Sequence, residues 1–173
     1  MEYTYKYESP LGEMTIASDG EAITGIWFAG QKYFGSTLQD PVQDSVQDPA
    51  VHGHEPAVIK EAISWLDAYF EGKDPGPVPA IRFSSTKFRE EVWKLLLEIP
   101  YGHTMTYGEI ASVLAKRNGK SHMSAQAVGG AVGHNPISIM IPCHRVVGAD
   151  GSLTGYAGGV ERKAALLELE ASV

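Results

Sequence analysis

The chain is 173 residues long, enough for one ordinary domain or two small ones, and 43% hydrophobic with 20% charged residues, the balance of a water-soluble globular protein. No stretch reaches the apolar length of a membrane span, and Met1–Lys6 has neither the apolar core nor the basic flank of a secretory leader. The net charge of −7 argues against a nucleic-acid partner until it is divided: residues 1–80 carry 4 Lys/Arg and 13 Asp/Glu, a balance of −9, while residues 81–173 carry 10 and 8, a balance of +2.

The first thirty residues read as β structure. Tyr3, Tyr5 and Tyr7 alternate with polar neighbours, Pro10-Leu11-Gly12 offers a turn, and Met14–Ala17 and Ile23–Phe28 follow on either side of Ser18-Asp19-Gly20. That pattern predicts an antiparallel meander. Residues 36–56 are polar and broken by Asp40-Pro41 and Asp48-Pro49, which predicts a surface loop; His52 and His54 fall in it as solvated residues rather than metal ligands. A helix is expected from about Pro56 to Phe70, with Val58, Ala62, Trp65 and Tyr69 on one stripe. The Pro/Gly-rich run 71–79 stops it and marks a linker, so the expected domains are 1–80 and 81–173.

The second half is mainly helical. Phe88, Val92, Leu95, Leu96 and Ile99 recur at helical spacing until Pro100-Tyr101-Gly102. Thr106-Tyr107-Gly108-Glu109 has the capping-box pattern and opens a helix to about Ala115. After the basic turn 116–120, Ser124 can cap a helix of small residues over 125–132, closed by Gly133-His134-Asn135-Pro136. Two short helices joined by a turn suggest a helix-turn-helix, and the small residues of the second suit deep entry into a minor groove.

The only cysteine, Cys143, lies in Ile141-Pro142-Cys143-His144-Arg145-Val146. A single thiol rules out an internal disulfide and a multi-cysteine zinc site, and it fits a reducing cytoplasm. Thiolate is the reactive form, and a neighbouring proton acceptor favours it, so a thiol beside an imidazole suggests a nucleophile. The six histidines give no metal set, so no metal is expected.

This run, with Asn135-Pro136 before it and Gly155-Tyr156-Ala157-Gly158-Gly159 after it, resembles the active site of O6-alkylguanine-DNA alkyltransferases, and the likeness is dense from about Phe88 to Glu170. The resemblance implies an α+β protein: a small ribonuclease H-like N-terminal α/β domain, and a mainly helical, winged-helix-like C-terminal domain carrying the helix-turn-helix. It implies a DNA repair activity that moves an alkyl group from the guanine O6, with O4-alkylthymine as a second candidate substrate, irreversibly onto Cys143. The partner would be double-stranded DNA containing alkylated guanine, with the base flipped out to reach the thiol.

Carried over residue by residue, the resemblance has Glu170 orient His144, which activates Cys143 through a water, while Asn135 ties the second helix to the active-site loop. Tyr107 would help rotate the nucleotide and bond the base; Val146, Tyr156, Ala157 and Gly158 would form the guanine pocket. Ala125, Gln126, Ala127, Gly129 and Gly130 would meet DNA. At Gln126 many members carry an arginine, so this chain would fill the gap left by the flipped base with a neutral side chain. The cysteines of the zinc site found in some relatives are absent. The protein would act as a monomer, away from membranes. Two other readings stand beside this one: a non-catalytic alkyltransferase-like binder of alkylated DNA, whose members lack the cysteine, and a cysteine hydrolase using Cys143 and His144.

Overall fold

The computed structural model describes residues 2–38 and 55–171; the centre of the expected surface loop, with His52 and His54, lies outside them. The chain divides into two compact units, one of Met1–Phe83 with Pro136–Ser138 and one of Ser84–Asn135 with Ile139–Ser172. None of the described helices is long and apolar enough to cross a membrane.

The first unit is a three-stranded antiparallel sheet with one helix. Strands β1 (Tyr3–Ser9), β2 (Gly12–Ser18) and β3 (Ile23–Phe28) lie in the order 1-2-3, with Tyr7 opposite Met14 and Met14 opposite Phe28. The β2–β3 turn closes because Asp19 Oδ1 accepts from Glu21 N at 3.0 Å and Ala22 N at 2.9 Å, while Gly20 takes a φ of +99°. Helix α1 (Ala57–Phe70) buries Val58, Ala62, Trp65 and Tyr69, the expected stripe, together with Ile59 and Leu66.

Two short segments that carry no strand signal of their own occupy the outer edge of β3. Ile23 N donates to Ala80 O at 2.7 Å and Arg82 N to Ile23 O at 2.9 Å; further along, Ile26 N donates to Pro136 O at 2.9 Å and Ser138 N to Ile26 O at 3.0 Å. An unpaired sheet edge exposes donors and acceptors, and these segments satisfy them. The return of 136–138 to the first unit places a strained residue directly after it. Ile139, β-branched and buried, has a φ of +69°, in the left-handed region such side chains avoid.

The second unit holds α2 (Lys87–Leu96), α3 (Tyr107–Arg117), α4 (Ala125–Gly133) and α5 (Val160–Ala171). Thr106 Oγ1 accepts from Glu109 N at 3.1 Å and Ser124 Oγ from Ala127 N at 3.2 Å, so both expected caps form. Helix α2 is shorter than its apolar period suggests. It ends at Leu96, and Ile99 is buried in the turn that follows, because Pro100 cannot donate to continue a helical ladder. Helix α3 is longer and absorbs Lys116 and Arg117 from the expected turn. The sequence pattern also missed a two-residue parallel pairing of β4 (Met105–Thr106) with β5 (Val146–Val147), which sets the start of α3 beside the end of the cysteine loop.

Candidate active site

Pro142 shapes the loop that presents the cysteine. At φ −81° and ψ 62° it centres an inverse γ-turn, closed by Cys143 N donating to Ile141 O at 2.8 Å, and a single 3-10 turn over Cys143–Arg145 follows. Asn135, at the end of α4, ties this loop down. Its Nδ2 donates to Ile141 O at 2.8 Å and to Cys143 Sγ at 3.1 Å. The thiol is 3% exposed. Burial pushes it up to about 11, against the opposing pull of the Asn135 amide, the Lys163 charge and the backbone N–H groups of Cys143 and His144. At rest the sulfur is therefore a neutral thiol.

Behind it, α5 supplies a carboxylate to the imidazole. Glu170 Oε2 meets His144 Nε2, and Glu170 Oε1 accepts from Arg145 Nε at 2.7 Å and from Gly102 N at 3.0 Å. Arg145 is fixed in turn by Nη1 donating to Ile99 O at 2.7 Å, with its guanidinium 5.7 Å from the centre of the Tyr101 ring. Burial pushes the His144 imidazole below its ordinary value of 6.5; the Glu170 carboxylate pulls upward, and Arg145 and Lys163 add to the downward push. The downward direction is physically reasonable because Arg145 already neutralises Glu170, so a protonated His144 would be a surplus buried cation. A neutral imidazole that gives Nε2–H to Glu170 keeps its lone pair on Nδ1, the atom suited to accept a proton.

A second cluster lies at the start of α3. Tyr107, half-buried, donates its hydroxyl to Thr154 O at 2.8 Å. Lys163 Nζ donates to the same oxygen at 3.0 Å and sits 5.7 Å from the centre of the Tyr107 ring. Gly155 is required here: its φ is +72°, and a Cβ on it would come within 3.2 Å of the Tyr107 hydroxyl. Of the expected pocket residues, Val146, Tyr156 and Gly158 are buried and Ala157 is half-buried. Helix α4 divides as its composition suggests. Val128, Ala131 and Val132 are buried, Ala125, Gln126, Ala127 and Gly130 are exposed, and Gly129 is intermediate, 3.8 Å from the Tyr107 ring measured at an added Cβ.

Two participants escaped the sequence reading. Arg145 was quoted only as part of the motif, yet it is the ion-pair partner of Glu170. Lys163 is fully buried, its ammonium pushed down by burial. Its spacing held a signal, since Lys163, Leu166 and Glu170 fall on one helical stripe and are the residues of α5 that are buried. Among the described residues no three His, Cys, Asp or Glu side chains are grouped to hold a metal ion.

A buried thiol held by an amide, a carboxylate-oriented imidazole in the next residue, and a helix pair with a bare small-residue face make up the candidate site. Comparison with known proteins identifies the family. Residues 87–172 match the family described as 6-O-methylguanine DNA methyltransferase, DNA binding domain, and residues 1–76 match its ribonuclease-like domain. A Mycobacterium bovis protein named methylated-DNA–protein-cysteine methyltransferase is 42% identical over 166 residues, covering 95% of this chain and 90% of that one. A Methanosarcina acetivorans protein of the same name is 39% identical, with 96% of each chain covered. The crystal structure of Mycobacterium tuberculosis O6-methylguanine methyltransferase superposes with a TM-score of 0.80 at 41% identity, covering 99% of this chain and 94% of that one. That of Mycobacterium tuberculosis OGT in complex with DNA gives 0.80 at 39% identity, covering 98% and 93%. The chain belongs to the 6-O-methylguanine DNA methyltransferase family.

Proposed function

We propose that this protein repairs DNA by taking the alkyl group of O6-alkylguanine onto Cys143, once per molecule. The observation that carries the reading is the arrangement of Asn135, Cys143, His144 and Glu170 described above, since it supplies a nucleophile, a proton acceptor and an orienting carboxylate in one buried loop. The thiol proton passes, through a water, to His144 Nδ1 while Nε2–H stays on Glu170. Sulfur attacks the alkyl carbon, the S–C bond forms and the C–O6 bond breaks. The electron pair stays with guanine, which takes up a proton as it leaves. A thioether is not hydrolysed, so the sulfur is spent and no cofactor takes part.

The substrate base must leave the duplex to reach a thiol this deeply buried. Helix α4 offers the exposed face of Ala125, Ala127 and Gly130 to the minor groove, and Gln126 enters the space the base vacates, giving the orphaned cytosine a neutral hydrogen bond. Tyr107 exchanges its bond to Thr154 O for one to the base, and Val146, Tyr156, Ala157 and Gly158 wall the guanine. Residues 81–173 carry DNA binding and transfer, residues 1–80 support them, and the protein works as a cytoplasmic monomer. The alternative, a non-catalytic binder, is disfavoured by the presence of Cys143.

Intact-protein mass after incubation with an O6-methylguanine duplex tests the reading. A permanent gain of one methyl on Cys143 is expected; bound DNA with an unchanged mass would establish the binder instead. The pH dependence adds a second check. A protonated imidazole cannot take the thiol proton, so the acid limb of the single-turnover rate follows His144. Because burial lowers that group from 6.5, transfer should persist as pH falls through 6.5 and fail only below it. A limb centred at or above 6.5 would show that the pull of Glu170 outweighs burial, and an acid limb left unchanged by His144→Ala would remove His144 as the acceptor.

A further inference from the structure

We propose that Gln31 is a positioning residue for transfer to Cys143: it stops the pairing of segment 136–138 with β3 and so fixes where the chain turns off into the cysteine loop. This rests on the reading of the protein as a DNA alkyltransferase, whose transfer chemistry gives Gln31 no direct part.

Gln31 is buried, although Ala29, Gly30, Lys32 and Tyr33 around it are exposed. A buried amide in an exposed turn needs partners, and it finds them on the sheet edge. Beside β3, Ile26 N donates to Pro136 O and Ser138 N to Ile26 O, which is one step of a parallel ladder. A regular ladder would continue with Phe28 N donating to the carbonyl of residue 138, and with the amide of residue 140 donating to Phe28 O. Gln31 takes both places. Phe28 N donates to Gln31 Oε1 at 2.8 Å, and Gln31 N donates to Phe28 O at 3.2 Å, in a turn that Gly30 closes at φ +78°. The same Oε1 accepts from Ser138 Oγ at 3.3 Å, which ties the last paired residue to the stop.

With the ladder closed at Ser138, the chain leaves the sheet at the next residue. That residue is Ile139, whose left-handed φ of +69° persists in a β-branched side chain only where the surroundings over-determine it. The cysteine run is then confined at both ends. Gln31 holds it at Ser138, and Asn135 Nδ2 holds Ile141 O and Cys143 Sγ. Were pairing to run on by two residues, the chain would travel roughly 6–7 Å further along β3 before turning. Misplacing a reacting atom by about 1 Å can already cost on the order of a hundredfold in rate.

Gln31→Met keeps the side-chain length and removes the acceptor, whereas Gln31→Glu keeps an acceptor oxygen in either protonation state. Single-turnover transfer is measured over a range of O6-methylguanine duplex concentrations, well below each variant's unfolding midpoint. Gln31→Met is expected to lower the saturating rate by about tenfold to a hundredfold while the half-saturating concentration stays at the wild-type value. Gln31→Glu should recover most of that loss. Ser138→Ala removes only the tie to the stop, and should lower the same rate by a smaller factor without altering the fold. A lowered midpoint with an unchanged saturating rate would make Gln31 a stabilising residue alone and overturn the proposal, as would an unchanged rate in both Gln31→Met and Ser138→Ala. Backbone hydrogen exchange gives a readout that needs no transfer: amides of residues 139–143 should exchange faster in Gln31→Met than in wild type, with those of α1 unchanged. A wild-type protein that gains no methyl, alongside faster exchange over 139–143 in Gln31→Met, counts against the transfer reading and supports the register stop.

Discussion

Cys143→Ser is expected to bind methylated duplex DNA as wild type does and to gain no methyl. The geometry around the position survives, because a hydroxyl fits where the thiol sits and still accepts from Asn135 Nδ2. What changes is ionisation. The thiol, already raised to about 11 by burial, needs a base to become a thiolate; a hydroxyl is a far weaker acid than a thiol, and the same burial raises it further. The serine variant therefore offers almost no ionised nucleophile, before the lower nucleophilicity of oxygen toward carbon. Intact-protein mass and a binding isotherm on the same duplex measure both halves. Stoichiometric methylation of the serine variant would exclude Cys143 as the acceptor.

Glu170→Gln is expected to lose both stability and rate. The carboxylate accepts from three donors, Gly102 N, Arg145 Nε and His144 Nε2, in a site where its side chain is 1% exposed. An amide has one carbonyl oxygen and presents N–H groups where the other oxygen stood, so a donor faces a donor on one side. It also leaves the Arg145 charge buried without its counterion, a loss of about 3–5 kcal/mol. In a chain of this size that lowers the unfolding midpoint by roughly 6–20 °C. The transfer rate should fall as well, since His144 loses the acceptor that keeps its proton on Nε2 and its lone pair on Nδ1. Differential scanning calorimetry and single-turnover transfer measured well below the new midpoint separate the two effects. A variant with an unchanged rate would make Glu170 a structural anchor of Arg145 alone.

The sequence by itself was enough for the elements whose cause is local. The meander follows from alternation and from turn residues such as Asp19 and Gly20, whose bonds close within four residues. The caps at Thr106 and Ser124 reach only three residues along the chain. The division of α4 into an apolar and a bare face follows from helical period, which any chain of that composition obeys. Cys143, His144 and Asn135 were legible because their neighbours form a dense motif whose resemblance to a known family could be seen, although neither composition nor spacing implies the chemistry alone.

Tertiary structure decided what depends on residues far apart in the chain. Helical period and composition do not separate Glu170 from Glu168; the family resemblance pointed to Glu170, and the packing of α5 on the cysteine loop brings it to His144, 26 residues away, and to Gly102, 68 residues away. Lys163 reads as an ordinary helix lysine until the turn at Thr154 and the ring of Tyr107 close over it. Segment 136–138 has no alternation to mark it for pairing, and it forms an isolated bridge to β3 because that strand leaves donors and acceptors open at its edge. The direction in which the thiol and the imidazole titrate was likewise out of reach. Both shifts come first from burial, and burial is a property of the folded molecule that no local run of residues contains.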